Sequence, residues 1–185
     1  MSYTIRSIAA TVVVVAGMLT GCSQMPSEQD GRKLNDGELT VPADYRGWPK
    51  FLSEVQRADN KQIRELYINR TGYYGAKKPG DVFPHGTLMV MEIYKAREAA
   101  DGTPLKTMNG KFVKGDLVKI AFMGKGEGWG DKTVPELKNG EWIYAMYMAD
   151  GKTKAPDDTA TCRACHLPLK DKDYVFRYDE YFSKR

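Results

Sequence analysis

Cysteine and histidine are both scarce in this chain, with three Cys and two His among 185 residues. That supply excludes a disulfide-stapled scaffold, which needs cysteines in several pairs, and it leaves few donors for a four-ligand zinc site. An excess of one charge is missing as well. Lys+Arg number 28 against 24 Asp+Glu, a net charge of +4, too weak a field to argue for nucleic acid as a partner. Long apolar runs are absent but for one near the N-terminus, and the mean hydropathy of -0.52 excludes a polytopic membrane protein. No internal repeat stands out. What remains is a length suited to one domain with its own hydrophobic core.

The single apolar run, from Ile8 to Leu19, follows the basic Arg6. It is too short to span a bilayer at the helical rise per residue and reads as the apolar region of a signal peptide. Leu19-Thr20-Gly21-Cys22 comes directly after it and resembles a bacterial lipobox, in which small residues fit the peptidase and the Cys22 thiol takes the lipid. The competing reading is an ordinary signal peptide with an incidental cysteine. The expected organisation is a lipoprotein signal peptide over residues 1–21, a flexible polar tether over 22–40 and a folded domain over 41–185. Removing 1–21 deletes Arg6 and no acid, so the net charge falls from +4 to +4 − 1 = +3. The expected location is the bacterial periplasm, held to a membrane through the N-terminal lipid. Ser23 at the position after Cys22 favours the outer membrane by analogy with enteric bacteria.

The other two cysteines stand in Cys162-Arg163-Ala164-Cys165-His166. Two thiols at C-x-x-C spacing reach the two vinyl groups of one porphyrin, and the adjacent imidazole swings beneath the iron, so C-x-x-C-H is the attachment motif of c-type haem. Cys162 and Cys165 are the expected covalent anchors of one haem c, and His166 is the expected iron ligand. A thioredoxin-like redox pair would place the motif at the start of a helix in a βαβ unit, and half of a zinc site would need further Cys or His partners. Export through a signal peptide also delivers the chain to the compartment where such haem is attached.

Apolar alternation and turn chemistry predict strands at Ile63–Asn69, Thr87–Arg97, Phe112–Met123 and Glu141–Ala149. They are divided by Gly-, Pro- and Asn-rich segments such as Phe83-Pro84-His85-Gly86, Asn109-Gly110 and Asn139-Gly140, as in an antiparallel sheet. A short helix is expected near residues 48–58. A second is expected over the Cys162–His166 motif, capped by Asp158 or Thr159. Tyr174–Tyr178 reads as a last strand or a docking segment. The fold class is therefore α+β, mainly β: an antiparallel sheet with a few helices and a C-terminal haem-attachment segment. Small electron-transfer cytochromes c place the motif near the start of a helical domain, whereas here about 120 mostly β-like residues precede it.

Several words in order carry a resemblance. They are Asp36-Gly37-Glu38-Leu39, Tyr45-Arg46-Gly47-Trp48, Ile63-Arg64-Glu65-Leu66-Tyr67-Ile68-Asn69, Phe83-Pro84-His85-Gly86-Thr87-Leu88-Met89-Val90-Met91-Glu92, Lys114-Gly115-Asp116, Trp142-Ile143-Tyr144-Ala145-Met146-Tyr147 and the C-x-x-C-H motif. From about Gly37 to Phe182 the chain resembles the cytochrome P-460 family, which also contains the cytochromes c-prime-beta. The resemblance implies a mainly antiparallel sheet, often as a homodimer, holding a high-spin haem with His on one face and an open distal site on the other. Hydroxylamine-oxidising members cross-link a Lys to the porphyrin, and that position is Met91 here, whose thioether cannot form the amine-to-carbon bond. Their distal carboxylate falls near Ala121. Arg64 matches a basic residue that reaches the distal pocket.

Period-two alternation places Thr87, Met89, Met91 and Ile93 on one strand face. The apolar neighbours Phe122 and Met123 extend the same poverty of acid–base groups around Ala121. Such a pocket favours small neutral ligands such as NO or CO on ferrous haem. Core packing is the plain alternative for Phe122, Met123, Met146 and Met148. Three functions are open: a lipoprotein that binds a gas or nitrogen-oxide ligand; an electron-transfer cytochrome with Met91, Met89 or the turn residue His85 as sixth ligand, serving a periplasmic donor or acceptor; and a hydroxylamine or nitrogen-oxide oxidoreductase. No catalytic set is assigned.

Overall fold

The structure, a computed structural model, describes residues 32–185. The signal-peptide segment and the lipidation site Cys22 lie outside the described residues. Five strands, β1 (Lys50–Arg57), β2 (Gln62–Ile68), β3 (Leu88–Ala96), β4 (Lys114–Lys125) and β5 (Trp142–Met148), form one sheet in the order of the sequence. Every neighbouring pair is antiparallel, so the sheet is a meander with short connections. Three short helices accompany it: α1 (Arg70–Gly75), α2 (Thr159–His166) and α3 (Tyr178–Ser183).

Four of the strands stand where alternation predicts them. The segment expected to be a short helix near 48–58 is instead strand β1. Its apolar residues Phe51, Leu52 and Val55 have helix-like spacing because the strand is irregular: its register with β2 shifts between Leu52 and Val55, and Glu54 takes a left-handed backbone conformation at φ 51°. An irregularity of this kind lets residues three apart face the same core, where a regular strand would alternate them.

Each face of the sheet carries its own core. On one, Tyr67, Leu88, Val90, Ile120, Phe122, Ile143, Ala145 and Tyr147 pack under Leu34, Leu39, Tyr45 and Trp129. On the other, Ile68, Met89, Trp142 and Tyr144 pack with Phe51, Phe83, Val175, Tyr178 and Tyr181. Burying side chains of this size is worth about 1.5–3 kcal/mol each, which is why both ends of the described segment are drawn onto the sheet. Leu39 is fully buried, the Gly130 amide donates to the Leu34 carbonyl and the Trp129 indole donates to the Arg32 carbonyl. Residues 32–40 are therefore part of the folded domain, which corrects the expected tether over 22–40 where the two overlap. The segment 174–178 is a docking loop leading into α3, not a strand: Val175 is buried in the second core, and Tyr174 and Arg177 have left-handed backbones.

Candidate functional site

The helix that carries the cysteines starts where sequence chemistry puts it. Asp158 is its N-cap, its carboxylate accepting from the Ala160 amide at 2.9 Å, and this satisfies one of the amides a helix start leaves unpaired. Within α2, Cys162, Cys165 and His166 stand at i, i+3 and i+4, one helix face. Cys162 is half-buried and Cys165 exposed, and both are free thiols. Burial, with help from the charges of Asp36, Asp157 and Cys165, pushes the Cys162 thiol pKa up. A redox-active pair needs a depressed thiol pKa, so the arrangement disfavours the thioredoxin-like reading.

Arg163, inside the motif, points the other way and is almost fully buried. Its guanidinium grips both oxygens of Asp36, Nε at 2.5 Å and Nη2 at 2.9 Å, and Nη2 also donates to the Trp142 carbonyl at 3.1 Å. Asn139 donates in turn to the Arg163 carbonyl. The planar, five-donor fork of arginine suits this convergence of a carboxylate and carbonyls. The result is a helix bolted to β5 and to the N-terminal segment on one side, with its cysteines and histidine displayed on the other.

His166 is oriented from two directions. Its Nδ1 lies 2.6 Å from the Tyr174 carbonyl, which can only accept, so Nδ1 carries the proton and Nε2 keeps its lone pair for a metal. Burial pulls the His166 pKa down, and the hydrogen bond to Tyr174 opposes this only in part, a balance that favours the neutral imidazole a metal ligand requires. The ring sits against Tyr144 with centroids 4.9 Å apart and meets Phe176 edge-on at 4.8 Å.

Sheet register decides which expected residues share this region. Leu66, Met91, Ala121 and Met146 form one row across β2, β3, β4 and β5, and all four are only partly buried. Ile68, Met89, Met123 and Tyr144 form the row on one side of it, and Arg64, Ile93, Lys119 and Met148 the row on the other. Cys162, Leu66 and Met123 pack on the same core cluster as Met89 and Tyr144, so the motif helix and this sheet face adjoin. Arg64, Met91 and Ala121 are thus brought onto one face. Phe122 is not. It pairs with Val90 and Ala145 and is buried in the opposite core, because one step along a strand reverses the side-chain direction. This corrects the expectation that it lines the site beside Ala121. His85 is half-exposed and bound to Glu141, Nε2 to carboxylate at 2.5 Å.

The family model of cytochrome P460 matches residues 42–177. The chain belongs to the cytochrome P460 family. Membership makes it a c-type haem cytochrome in the broad sense and implies a haem c cofactor. Among proteins of curated function none matches this cytochrome P460 chain significantly.

The residues present fit such a group. A porphyrin offers a broad apolar ring and carboxylate side chains; the partly buried Leu66–Met91–Ala121–Met146 row offers apolar surface. The buried Nε of Arg64 has no hydrogen-bond partner among the described residues, a costly state that a carboxylate would relieve. Burial lowers the Arg64 pKa, yet a guanidinium remains a cation at neutral pH. The Tyr144 hydroxyl, beside His166, is likewise buried without a partner.

Proposed function

We propose that this cytochrome binds NO or a similarly small neutral ligand at one haem c, held covalently by Cys162 and Cys165 and ligated by Nε2 of His166. The observation that carries this reading is the row Leu66–Met91–Ala121–Met146, which has neither a carboxylate nor an amine where the oxidising members of the family use both. When bound, haem would supply an iron that in its reduced state has affinity for NO or CO. The chain's own part is to orient and to exclude. The Tyr174 carbonyl holds the proton on His166 Nδ1, Arg163 and Asp36 hold the helix, and the methionine-rich face keeps acid–base groups away from Ala121. General acid–base assistance is worth about 10²–10⁴-fold in a proton-coupled oxidation, so a face without it suits reversible binding better than hydroxylamine oxidation. The charged residues of the flanking row are both cations, Arg64 and Lys119, and Lys119 is tied to Asp157 at 2.6 Å.

The same proposal places the protein on the periplasmic side of a bacterial membrane, lipid-anchored at Cys22 and serving there as a sink for its ligand. A second reading is favoured by one observation: Met91 and Met146 flank Ala121 in the row and are both partly exposed. A thioether from either as sixth ligand would make an electron carrier of higher potential. Absorption spectra of the holoprotein, oxidised, reduced and with NO, test both. High-spin bands that change on adding NO to the reduced protein are expected. Sharp low-spin bands that turn high-spin only in Met91→Ala or Met146→Ala would establish the electron carrier instead. Full haem staining of a Cys162→Ala/Cys165→Ala protein on a denaturing gel would refute covalent attachment at this motif.

A further inference from the structure

We infer that the buried ion pair between Lys125 and Asp173 is a positioning device for His166, setting through the Tyr174 carbonyl how strongly the imidazole binds iron. The inference rests on the proposed ligation of iron by His166.

The carbonyl that accepts from His166 belongs to a backbone in an unfavourable conformation. Asp173 and Tyr174 are consecutive non-glycine residues in the left-handed region, at φ 49° and 59°. L-residues avoid it, and two in succession persist only where the surroundings over-determine them. Backbone hydrogen bonds supply part of that constraint, from the Tyr174 amide to the Leu169 carbonyl at 2.8 Å and from the Val175 amide to the Lys172 carbonyl at 3.0 Å. The Asp173 carboxylate supplies the rest. It accepts Lys125 Nζ on both oxygens at 2.9 Å and the Phe83 amide at 2.9 Å.

Lys125 is the last residue of β4, its backbone paired with Thr87 and Gly86. Its ammonium therefore fixes the loop to the sheet that also bears the Met91 row. Among the described residues this is the ion pair with both side chains less than a tenth exposed, at 8% and 9%. Stability alone does not explain such burial, because desolvation offsets most of the attraction inside a protein. A defined loop geometry does. The hydrogen bond at the non-ligating nitrogen of a metal-bound histidine raises the basicity of the ligating one, so a looser Tyr174 carbonyl means a weaker donor at Nε2.

Resonance Raman spectroscopy of the ferrous holoprotein reads that bond as the iron–histidine stretch, and redox titration reads its effect on the ferric state. Asp173→Asn and Lys125→Met are each expected to move the stretch to lower frequency and the midpoint potential upward. The double variant should shift no further than either single one, since a pair is lost only once, and Lys125→Arg should keep the wild-type band. Glu92→Gln, in the opposite core, should lower stability without moving the band, which separates positioning from mere destabilisation. Unmoved stretch and potential in both single variants, even with a lower melting temperature, would overturn the inference, as would loss of haem loading that Lys125→Arg does not rescue. A wild-type protein with no iron–histidine stretch, and a His166→Ala variant spectrally identical to it, would instead overturn the ligation on which the inference stands.

Discussion

Met91 of β3 and Ala121 of β4 are direct cross-strand partners on the sheet face that adjoins the motif helix. They are the positions at which the resemblance to the oxidising cytochromes would put the cross-linking amine and the proton-accepting carboxylate. Side chains so paired are close enough to interact, so changes at the two should couple rather than add.

Restoring both groups tests that coupling. Met91→Lys alone should give some haem with the red-shifted spectrum of a cross-linked porphyrin and little hydroxylamine oxidation. Adding Ala121→Glu should raise turnover more in the Met91→Lys background than in wild type, by up to about 10²-fold, the lower end of general-base effects. Steady-state assays of the four proteins in a double-mutant cycle measure the coupling. Rapid oxidation by wild type would defeat the ligand-binding proposal.

The clamp on the motif helix should be lopsided. Asp36→Ala leaves a guanidinium whose side chain is 2% exposed without its carboxylate, whereas Arg163→Met leaves an aspartate that retains 20% exposure. Stranding the more deeply buried charge should cost about 3–5 kcal/mol, and the reverse change less. Denaturant unfolding of the two variants beside wild type checks the order; equal losses would contradict it.

Acid stability should depend on Glu92, on the face away from the motif. Burial alone would push its pKa up, but hydrogen bonds from Tyr45, Tyr94, Tyr67 and Arg46 outweigh that and hold it below the ordinary 4.5. The unfolded chain then takes up this proton at a higher pH than the folded one. The stabilisation is fully present above pH 4.5 and is lost as pH falls through the folded pKa. Unfolding free energies measured down this range should decline more gently in Glu92→Gln than in wild type. An identical slope would show that Glu92 does not carry the effect.

At the N-terminus, Cys22→Ser should abolish incorporation of labelled lipid and release the protein from the membrane fraction. Unchanged membrane partitioning would count against the lipobox.

The attachment motif, the strands β2 to β5 and the cap at Asp158 were legible because each depends on local chemistry: a fixed spacing, an alternation, one side-chain oxygen before a helix. The row through Met91 and Ala121 was half legible. Family words located both positions, but only the register between β3 and β4 makes them partners, and neighbouring Phe122 shows how one residue of displacement reverses a face. Strand β1 was hidden because its left-handed Glu54 spoils the alternation. Arg163, Asp36, Lys125 and Asp173 were invisible for a different reason. Their roles arise from contacts across many residues of chain, and an arginine between two cysteines or an aspartate in a polar stretch carries no local mark. The faint signal that existed was Leu34 and Leu39, two apolar residues spaced through a segment otherwise suited to a tether.

The Arg163–Asp36 pair joins residues 127 apart in sequence, and Asp36 lies between Leu34 and Leu39, the leucines that enter the core on the sheet's other face. Mechanically, the leading segment and the cysteine-bearing helix are therefore a single lever. Tension applied at Arg32 meets first the anchors at Trp129 and Gly130, and what passes them is borne by a guanidinium seated between Cys162 and Cys165 and by the Tyr144 amide of β5.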